Sequence, residues 1–160
     1  MLFFITVALF ACFAFVIAFG APYLPTLTPQ VTSALDMLNL KPGMHLLELG
    51  SGDGKVMLAA AQRGIHVTGY ELNPILVLIS RWRLRRYKSQ TSVVLGNFWT
   101  ATWPPADAIF SFNLQKHMNK LDTKIMTECQ KPVMMASFAF TIDGRKPLRT
   151  KDGIFLYEYK

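Results

Sequence analysis

The pattern of apolar and polar positions divides the chain into an uncharged apolar stretch and an alternating body. Residues 2–21 hold no charged side chain, and as a helix they would be about 30 Å long, the thickness of a bilayer core. From His45 onward, short apolar runs alternate with segments of helical periodicity. This alternation predicts an α/β fold whose mostly parallel sheet is covered by helices on both faces.

The predicted elements follow one another in regular order along the body. Strands are expected at residues 46–49, 66–71, 92–95, 108–112, 133–140 and 154–159, the last one short and antiparallel. Helices are expected at residues 29–38, 55–62, 74–87 and 118–128. Thr28 is the expected N-cap of the first helix, and Ile75, Ile79 and Trp82 are expected on the buried side of the third. The segment from Gly144 to Gly153 is predicted to be a turn or loop.

The apolar stretch favours a membrane anchor over a cleavable signal peptide. No Lys or Arg precedes it, and it is longer than a usual signal-peptide core. All Lys and Arg lie at position 41 or later, which predicts a single-pass protein with its body on the cytoplasmic side. The absence of an Arg-rich leader favours a bacterial inner membrane over a mitochondrial one. The expected division is an anchor at 1–21, a connector and first helix at 22–40, and one domain at 41–160.

The charge balance is strongly basic. Seventeen Lys and Arg against ten Asp and Glu give a formal net charge of +7, which suits an anionic membrane surface, nucleic acid, an acidic protein or simple solubility. Five basic side chains between residues 81 and 88 form either a solvated stripe or a patch for anionic lipid or an acidic partner. The two cysteines and three separated histidines have no metal-ligand spacing, so no metal is expected.

A glycine-rich loop after the first strand indicates a nucleotide-like ligand. Glu48 is followed by glycines at alternate positions, Gly50, Gly52 and Gly54. Residues without a Cβ let the backbone turn sharply and approach a ligand closely, and the next helix would point its amides at that ligand. Lys55 stands where the dinucleotide fingerprint needs its third glycine, so that motif is excluded.

Residues after the second and third strands extend this site. Glu71 ends the second strand, where a carboxylate would accept hydrogen bonds from ribose hydroxyls. Asn97 and Phe98 follow the third strand and offer an amide to an adenine edge and a ring to its face. The combination resembles the Rossmann-like, seven-strand S-adenosylmethionine-dependent methyltransferases. The resemblance implies S-adenosyl-L-methionine as cofactor, bound by Glu48, Gly50, Ser51, Gly52, Asp53, Gly54, Glu71, Leu72, Asn97 and Phe98.

A narrower resemblance covers most of the chain. The connector at 22–26, the glycine loop at 49–56 and the segment at 69–74 are similar to the membrane-anchored protein-lysine N-methyltransferases. That family acts on the ATP synthase c-subunit and the adenine nucleotide translocase, and it has shorter bacterial relatives. The resemblance implies methyl transfer to a lysine amine of a protein, expected to be membrane-embedded, with residues 2–21 in the lipid.

The segment after the fourth strand bears on the substrate. Methyltransferases acting on base amines carry an Asn/Asp-Pro-Pro-aromatic motif there, whereas residues 112–115 contain no proline, which disfavours nucleic acid. Residues 109–113 and 137–138 are instead similar to the non-SET histone-lysine methyltransferases, which implies that Asn113 lies near the substrate amine. A loop cap is the alternative role of Asn113. Tyr23 and Thr26 are expected to line the active site, with Phe98, Trp99 and Phe138 as further walls.

Two other functions stay open from the sequence. An RNA methyltransferase would explain the basic charge. A non-catalytic membrane-assembly protein that retains the fold would explain the apolar segment, although the intact set of acids and glycines argues against it. No catalytic base is identifiable from the sequence.

Overall fold

The computed structural model describes Met1, Thr6, residues 24–129 and residues 132–160. The predicted anchor, apart from Met1 and Thr6, and the predicted active-site residue Tyr23 lie outside these described residues. Over the described part of the chain, no helix has the length and apolar character needed to cross a membrane.

The described residues form an alternating series of helices and strands, as predicted. In chain order they are α1 (Thr28–Leu38), β1 (His45–Leu49), α2 (Lys55–Ala61), β2 (His66–Glu71), α3 (Pro74–Arg83), β3 (Thr91–Leu95), β4 (Ala108–Ser111), α4 (Met118–Glu128), β5 (Val133–Phe138), β6 (Arg149–Lys151) and β7 (Ile154–Tyr159). Short 3₁₀ turns at Arg85–Tyr87 and Gln115–His117 follow α3 and precede α4.

One seven-stranded sheet carries the fold, in the order β3-β2-β1-β4-β5-β7-β6. Strands β1 to β5 are parallel, β7 is antiparallel to β5, and β6 is antiparallel to β7. The predicted mostly parallel sheet with an antiparallel C-terminal strand is therefore confirmed. The strand order reverses between β1 and β4, and in such sheets ligands bind beyond the carboxyl ends of the strands at that point.

Helices cover both faces of the sheet, and each face has its own apolar core. On one face Val31, Leu35 and Leu38 of α1 pack with residues of α2, β1 and β4. On the other face Leu121 and Ile125 of α4 pack with residues of β4, β5 and β7. This two-sided burial explains why the central strands are apolar at nearly every position.

Two expectations about the helices are wrong. Thr28 lies inside α1, whose N-cap is Leu27 without a side-chain cap bond. In α3, Ile79 and Trp82 are 40% and 68% exposed, whereas the buried residues are Leu76, Val77 and Ser80. At Ser80 this buried face passes close to the glycine loop, since a Cβ added at Gly54 would lie 2.3 Å from the Ser80 Oγ.

The segment predicted as a loop between Gly144 and Gly153 contains β6. All three residues of β6 are exposed, so the sequence shows no alternation there. Its strand conformation comes from pairing with β7 through a turn at Asp152 and Gly153, both of which have positive φ.

Candidate active site

A cavity of about 240 Å³ lies at the carboxyl ends of β1, β2 and β4. It is formed by the loops after these strands, the segment after β3 and the chain just before α1. Eleven of the residues predicted for the site line it: Thr26, Glu48, Gly50, Ser51, Gly52, Asp53, Glu71, Leu72, Phe98, Trp99 and Asn113. Gly54 and Asn97 lie next to the cavity wall and are not part of it.

The glycine loop needs residues without a Cβ for two different reasons. Gly50, Gly52 and Gly54 all have positive φ, between +53° and +88°. A Cβ added at Gly50 would meet no protein atom within 4 Å, but one at Gly54 would lie 2.3 Å from the Ser80 Oγ. The first glycine therefore leaves cavity space open, and the last one lets the loop pack against α3.

The Glu48 carboxylate is buried in the cavity wall. Its side chain is almost fully enclosed, at 3% exposure, and among the described residues one of its oxygens has no hydrogen-bond partner. Burial raises the pKa of Glu48 well above its usual value, and the nearby acids Asp53 and Glu71 raise it further. A buried acceptor in this position suits a cationic ligand group, which would complete its hydrogen bonding and offset its charge.

The Glu71 carboxylate links the glycine loop to the start of α3. Its Oε2 accepts a hydrogen bond from the Gly52 amide at 2.9 Å, and its Oε1 accepts one from the Asn73 amide at 2.8 Å. The Asn73 side chain in turn caps α3 by accepting from the Ile75 and Leu76 amides. A carboxylate has about four acceptor positions, so Glu71 retains capacity for a ligand hydroxyl.

The segment after β3 supplies an aromatic wall. Phe98 and Trp99 line the cavity, with ring centroids 4.7 Å apart. The Asn97 Oδ1 accepts from the Trp99 amide at 2.9 Å, and the Trp103 indole donates to the Phe98 carbonyl at 2.9 Å. Asn97 thus shapes the turn that presents the two rings.

A buried amide marks the other end of the cavity. Asn113 is 6% exposed. Its Oδ1 accepts from the Leu114 amide at 2.9 Å, and its Nδ2 has no partner among the described residues. The predicted loop-cap bond is therefore present, and Asn113 also lines the cavity.

The aromatic residues around Asn113 differ in part from those expected. Phe138 packs on Phe112, with ring centroids 4.6 Å apart, and is absent from the cavity lining, so its expected place there is wrong. Phe112 and Phe140 line the cavity instead. The strand ends at Phe138, and Ala139 takes a φ of +68°, which redirects the chain and brings Phe140 to the cavity.

His117 also lines the cavity and was not predicted from the sequence. Its ring meets the Trp99 ring edge-on, with centroids 5.8 Å apart. Partial burial lowers the pKa of His117, and the neighbouring Lys116 and Lys120 lower it further. A neutral imidazole therefore stands at the aromatic end near neutral pH.

The chain before α1 closes one side of the cavity. Leu24, Pro25 and Thr26 line it, and the Lys55 ammonium donates to the Thr26 carbonyl at 3.1 Å. Lys55, which excludes the dinucleotide motif, thus ties the connector to the start of α2.

The strand order, the glycine loop after β1 and the acid at the end of β2 together define a Rossmann-like methyltransferase. A family model described as the ANTKMT methyltransferase domain matches residues 48–149. With more than half of its length matched, the chain belongs to this family.

Curated relatives agree with this assignment. The ATP synthase c-subunit lysine N-methyltransferase of Xenopus laevis is 34% identical over 128 residues, covering 79% of this chain and 56% of that protein. The adenine nucleotide translocase lysine N-methyltransferase of Mus musculus is 33% identical over 132 residues, covering 81% of this chain and 55% of that protein. The chain thus spans about half the length of these relatives.

A solved structure matches most of the chain. An RNA methyltransferase from Salinibacter ruber, in complex with S-adenosyl-L-homocysteine, has a TM-score of 0.78 and 25% sequence identity, covering 85% of this chain and 92% of that one.

Proposed function

We propose that this protein is an S-adenosyl-L-methionine-dependent methyltransferase that modifies the side-chain amine of lysine in a protein. The observation that carries this proposal is one cavity with a buried, incompletely bonded carboxylate at Glu48 and a buried, incompletely bonded amide at Asn113. The Glu48 oxygen suits the ammonium of the cofactor. The Asn113 Oδ1 accepts from the Leu114 amide and keeps a second lone pair, which suits an N–H of the substrate amine. The names of the curated relatives support the same substrate class.

The cofactor end of the cavity fits each part of S-adenosyl-L-methionine. Glu48 would accept from the methionine ammonium, and Glu71 would accept from the ribose hydroxyls. Phe98 and Trp99 would cover the adenine face. The open space beside Gly50 would admit the part of the ligand that lies closest to the loop backbone. When bound, the cofactor supplies an electrophilic methyl group on a sulfonium.

The substrate end must hold the amine in its neutral, nucleophilic form. Phe112, Phe140 and Trp99 enclose this end with apolar surface, which excludes water and lowers the pKa of an entering lysine ammonium. The second lone pair of the Asn113 Oδ1, which already accepts from the Leu114 amide, would accept a hydrogen bond from the amine and orient it. His117, held neutral by its lowered pKa, adds no positive charge that would repel the substrate.

We further propose that residues 2–21 form a single membrane-spanning anchor, with the body of the protein on the cytoplasmic side of a bacterial inner membrane. The support is the absence of charge in residues 2–21 and the position of every Lys and Arg at 41 or later. A shared membrane raises the effective concentration of the enzyme beside a membrane-embedded protein. This arrangement therefore favours a membrane-embedded protein as the substrate.

An RNA methyltransferase is the second candidate. The similarity to the Salinibacter ruber enzyme and the net charge of +7 favour it. The proline-free sequence at Asn113 and Leu114 opposes it, because it lacks the motif that grips a planar base amine.

The decisive experiment supplies the full chain with methyl-labelled S-adenosyl-L-methionine and either membranes or total RNA from cells lacking the protein. We expect label in a membrane protein and, by mass spectrometry, methylated lysine. Glu71→Ala, expected to bind the cofactor more weakly, should give less label at low cofactor concentration. Glu158→Ala, which removes a surface ion pair with Lys160, is the matched control expected to keep full activity. Label in RNA alone would overturn the lysine assignment. Absence of cofactor binding by calorimetry would favour a non-catalytic role.

A further inference from the structure

Helix α3 has apolar side chains on two opposite faces, and the fold covers one of them. Leu78, Ile79 and Trp82 are 65%, 40% and 68% exposed; they form the outer face. At about 100° per residue, these positions centre opposite the buried residues Leu76, Val77 and Ser80. A helix that is apolar all round ordinarily has an apolar neighbour on each side.

Basic side chains flank the outer face. By the same helical geometry, Arg81 lies on one side of it and Arg83 on the other, and Arg85, Arg86 and Lys88 follow in the next turn. Within the part of the chain that the structure describes, Arg83 alone among these five is paired with a carboxylate, that of Asp53 at 2.6 Å. Arg81 donates from its Nε and Nη2 to the Val93 carbonyl, at 3.3 and 2.9 Å, which leaves its charge without a carboxylate. The charges of Arg81, Arg85, Arg86 and Lys88 are therefore available to an external anion.

Trp82 and Arg85 form a preorganised pair at the centre of this surface. The Arg85 guanidinium lies 4.4 Å from the centroid of the Trp82 ring, and its Nη1 donates to the Trp82 carbonyl at 3.0 Å. Tryptophan favours the boundary between hydrocarbon and headgroups, because its ring is apolar and its indole N–H is polar. Arginine keeps its charge in the polar layer while its stem lies along apolar surface.

We propose that the outer face binds the surface of an anionic bilayer, with Leu78, Ile79 and Trp82 entering the interface and Arg81, Arg85 and Arg86 contacting lipid phosphates. An apolar centre with an arginine rim matches both layers of such a surface. A second copy of the chain would bring like charges together. Residues 2–21 carry no charge for the arginines to bind.

This contact would fix the orientation of the cavity relative to the membrane. Leu76 on the inner side of α3 lines the cavity, and Arg83 holds Asp53 of the cavity wall. The lipid contact itself is independent of methyl transfer, so its test does not require an active enzyme.

The test uses the full chain in vesicles and reads the depth of Trp82. Vesicles consist of phosphatidylcholine alone or of phosphatidylcholine with phosphatidylglycerol, each with brominated acyl chains that quench tryptophan fluorescence. Subtracting the signal of Trp82→Phe isolates this residue from Trp99 and Trp103. We expect quenching at Trp82 to be several-fold stronger with phosphatidylglycerol and to fall at high salt.

Two charge-matched triple variants assign the effect to the arginine rim. Arg81→Gln, Arg85→Gln and Arg86→Gln together should reduce quenching to the level of phosphatidylcholine alone. Lys146→Gln, Arg149→Gln and Lys151→Gln remove the same charge around β6, at the opposite edge of the sheet, and should leave quenching unchanged. Thermal denaturation verifies that each variant is folded.

Three results would overturn the proposal. Equal quenching in both vesicle types would assign the outer face to this chain's own apolar segment or to uncharged lipid. If the two triple variants lowered quenching equally, binding would depend on the net charge of the protein and not on the arginine rim. If the brominated lipids did not quench Trp82, and Trp82 became shielded from solvent only after an acidic membrane protein was added, the outer face would bind a protein partner.

Discussion

The Glu71 carboxylate accepts a hydrogen bond from the Gly52 amide at 2.9 Å, so the acid at the end of β2 holds the glycine loop that follows β1. Its other oxygen accepts from the Asn73 amide at the start of α3. The side chain predicted to bind ribose thus also joins the end of β2 to the glycine loop and to the start of α3. Loss of Glu71 should therefore affect both ligand affinity and the fold.

Glu71→Ala is expected to weaken S-adenosyl-L-homocysteine binding by about 10- to 100-fold and to lower the melting temperature. Each hydrogen bond to a charged group contributes about 1.5–3 kcal/mol, and the ligand and the loop both lose such bonds. Calorimetry and thermal denaturation measure the two effects, with Glu158→Ala as the control. A lower melting temperature with unchanged affinity would restrict Glu71 to a structural role.

Gly54→Ala is expected to destabilise the protein by about 2–4 kcal/mol, because it combines a positive φ with a steric clash. The new Cβ would lie 2.3 Å from the Ser80 Oγ. That hydroxyl is buried without a partner among the described residues, so Ser80→Ala alone should change stability little. Urea denaturation of the double variant should recover about 1 kcal/mol or more through the shared contact. Additive effects would contradict the close packing of loop and helix.

Glu48→Gln is expected to stabilise the ligand-free protein near neutral pH while weakening cofactor binding. Burial raises the pKa of Glu48 in the fold, so the protonated form is favoured there, and ionisation costs stability as pH rises through that pKa. Wild-type stability should therefore increase as the pH falls through the raised pKa toward the usual pKa of a glutamate, and this part of the pH dependence should vanish in Glu48→Gln.

Melting temperatures across this pH range measure the effect of Glu48, at about 2–4 °C per kcal/mol for a chain of this size. Glu158→Gln changes an exposed acid in the same way and serves as the control. A lower melting temperature for Glu48→Gln at every pH would show that the buried charge is compensated within the ligand-free fold.

Most of the sheet could be predicted from the sequence, because its signals are local. The bounds of β2, His66–Glu71, agree with the prediction, since Gly64 before it and Pro74 after it limit the strand. The rotation of α3 could not be predicted by periodicity, because two opposite apolar faces satisfy the same period. The face that is buried includes Ser80, which packs close to Gly54, a residue distant in sequence.

The cofactor end of the site was more predictable than the substrate end for a similar reason. Glu48 and the glycines belong to one contiguous motif whose backbone conformation demands those residue types. Phe140 and His117 reach the cavity only through the φ of +68° at Ala139 and the 3₁₀ turn at Gln115–His117. Neither feature has a sequence signature. At Ala139 this is because alanine rarely adopts positive φ.

The pH dependence of kcat distinguishes the role proposed for Asn113 from a purely structural role. Asn113→Ala should lower kcat by about 5- to 30-fold, the effect of one lost hydrogen bond, with cofactor affinity unchanged. Asn113→Asp retains an acceptor but adds a negative charge, which stabilises the lysine ammonium and raises its pKa. In this variant the rise of kcat with pH should therefore shift to higher pH. A uniform decrease in kcat with no shift would indicate that Asn113 acts only as the cap of its loop, through the bond to the Leu114 amide.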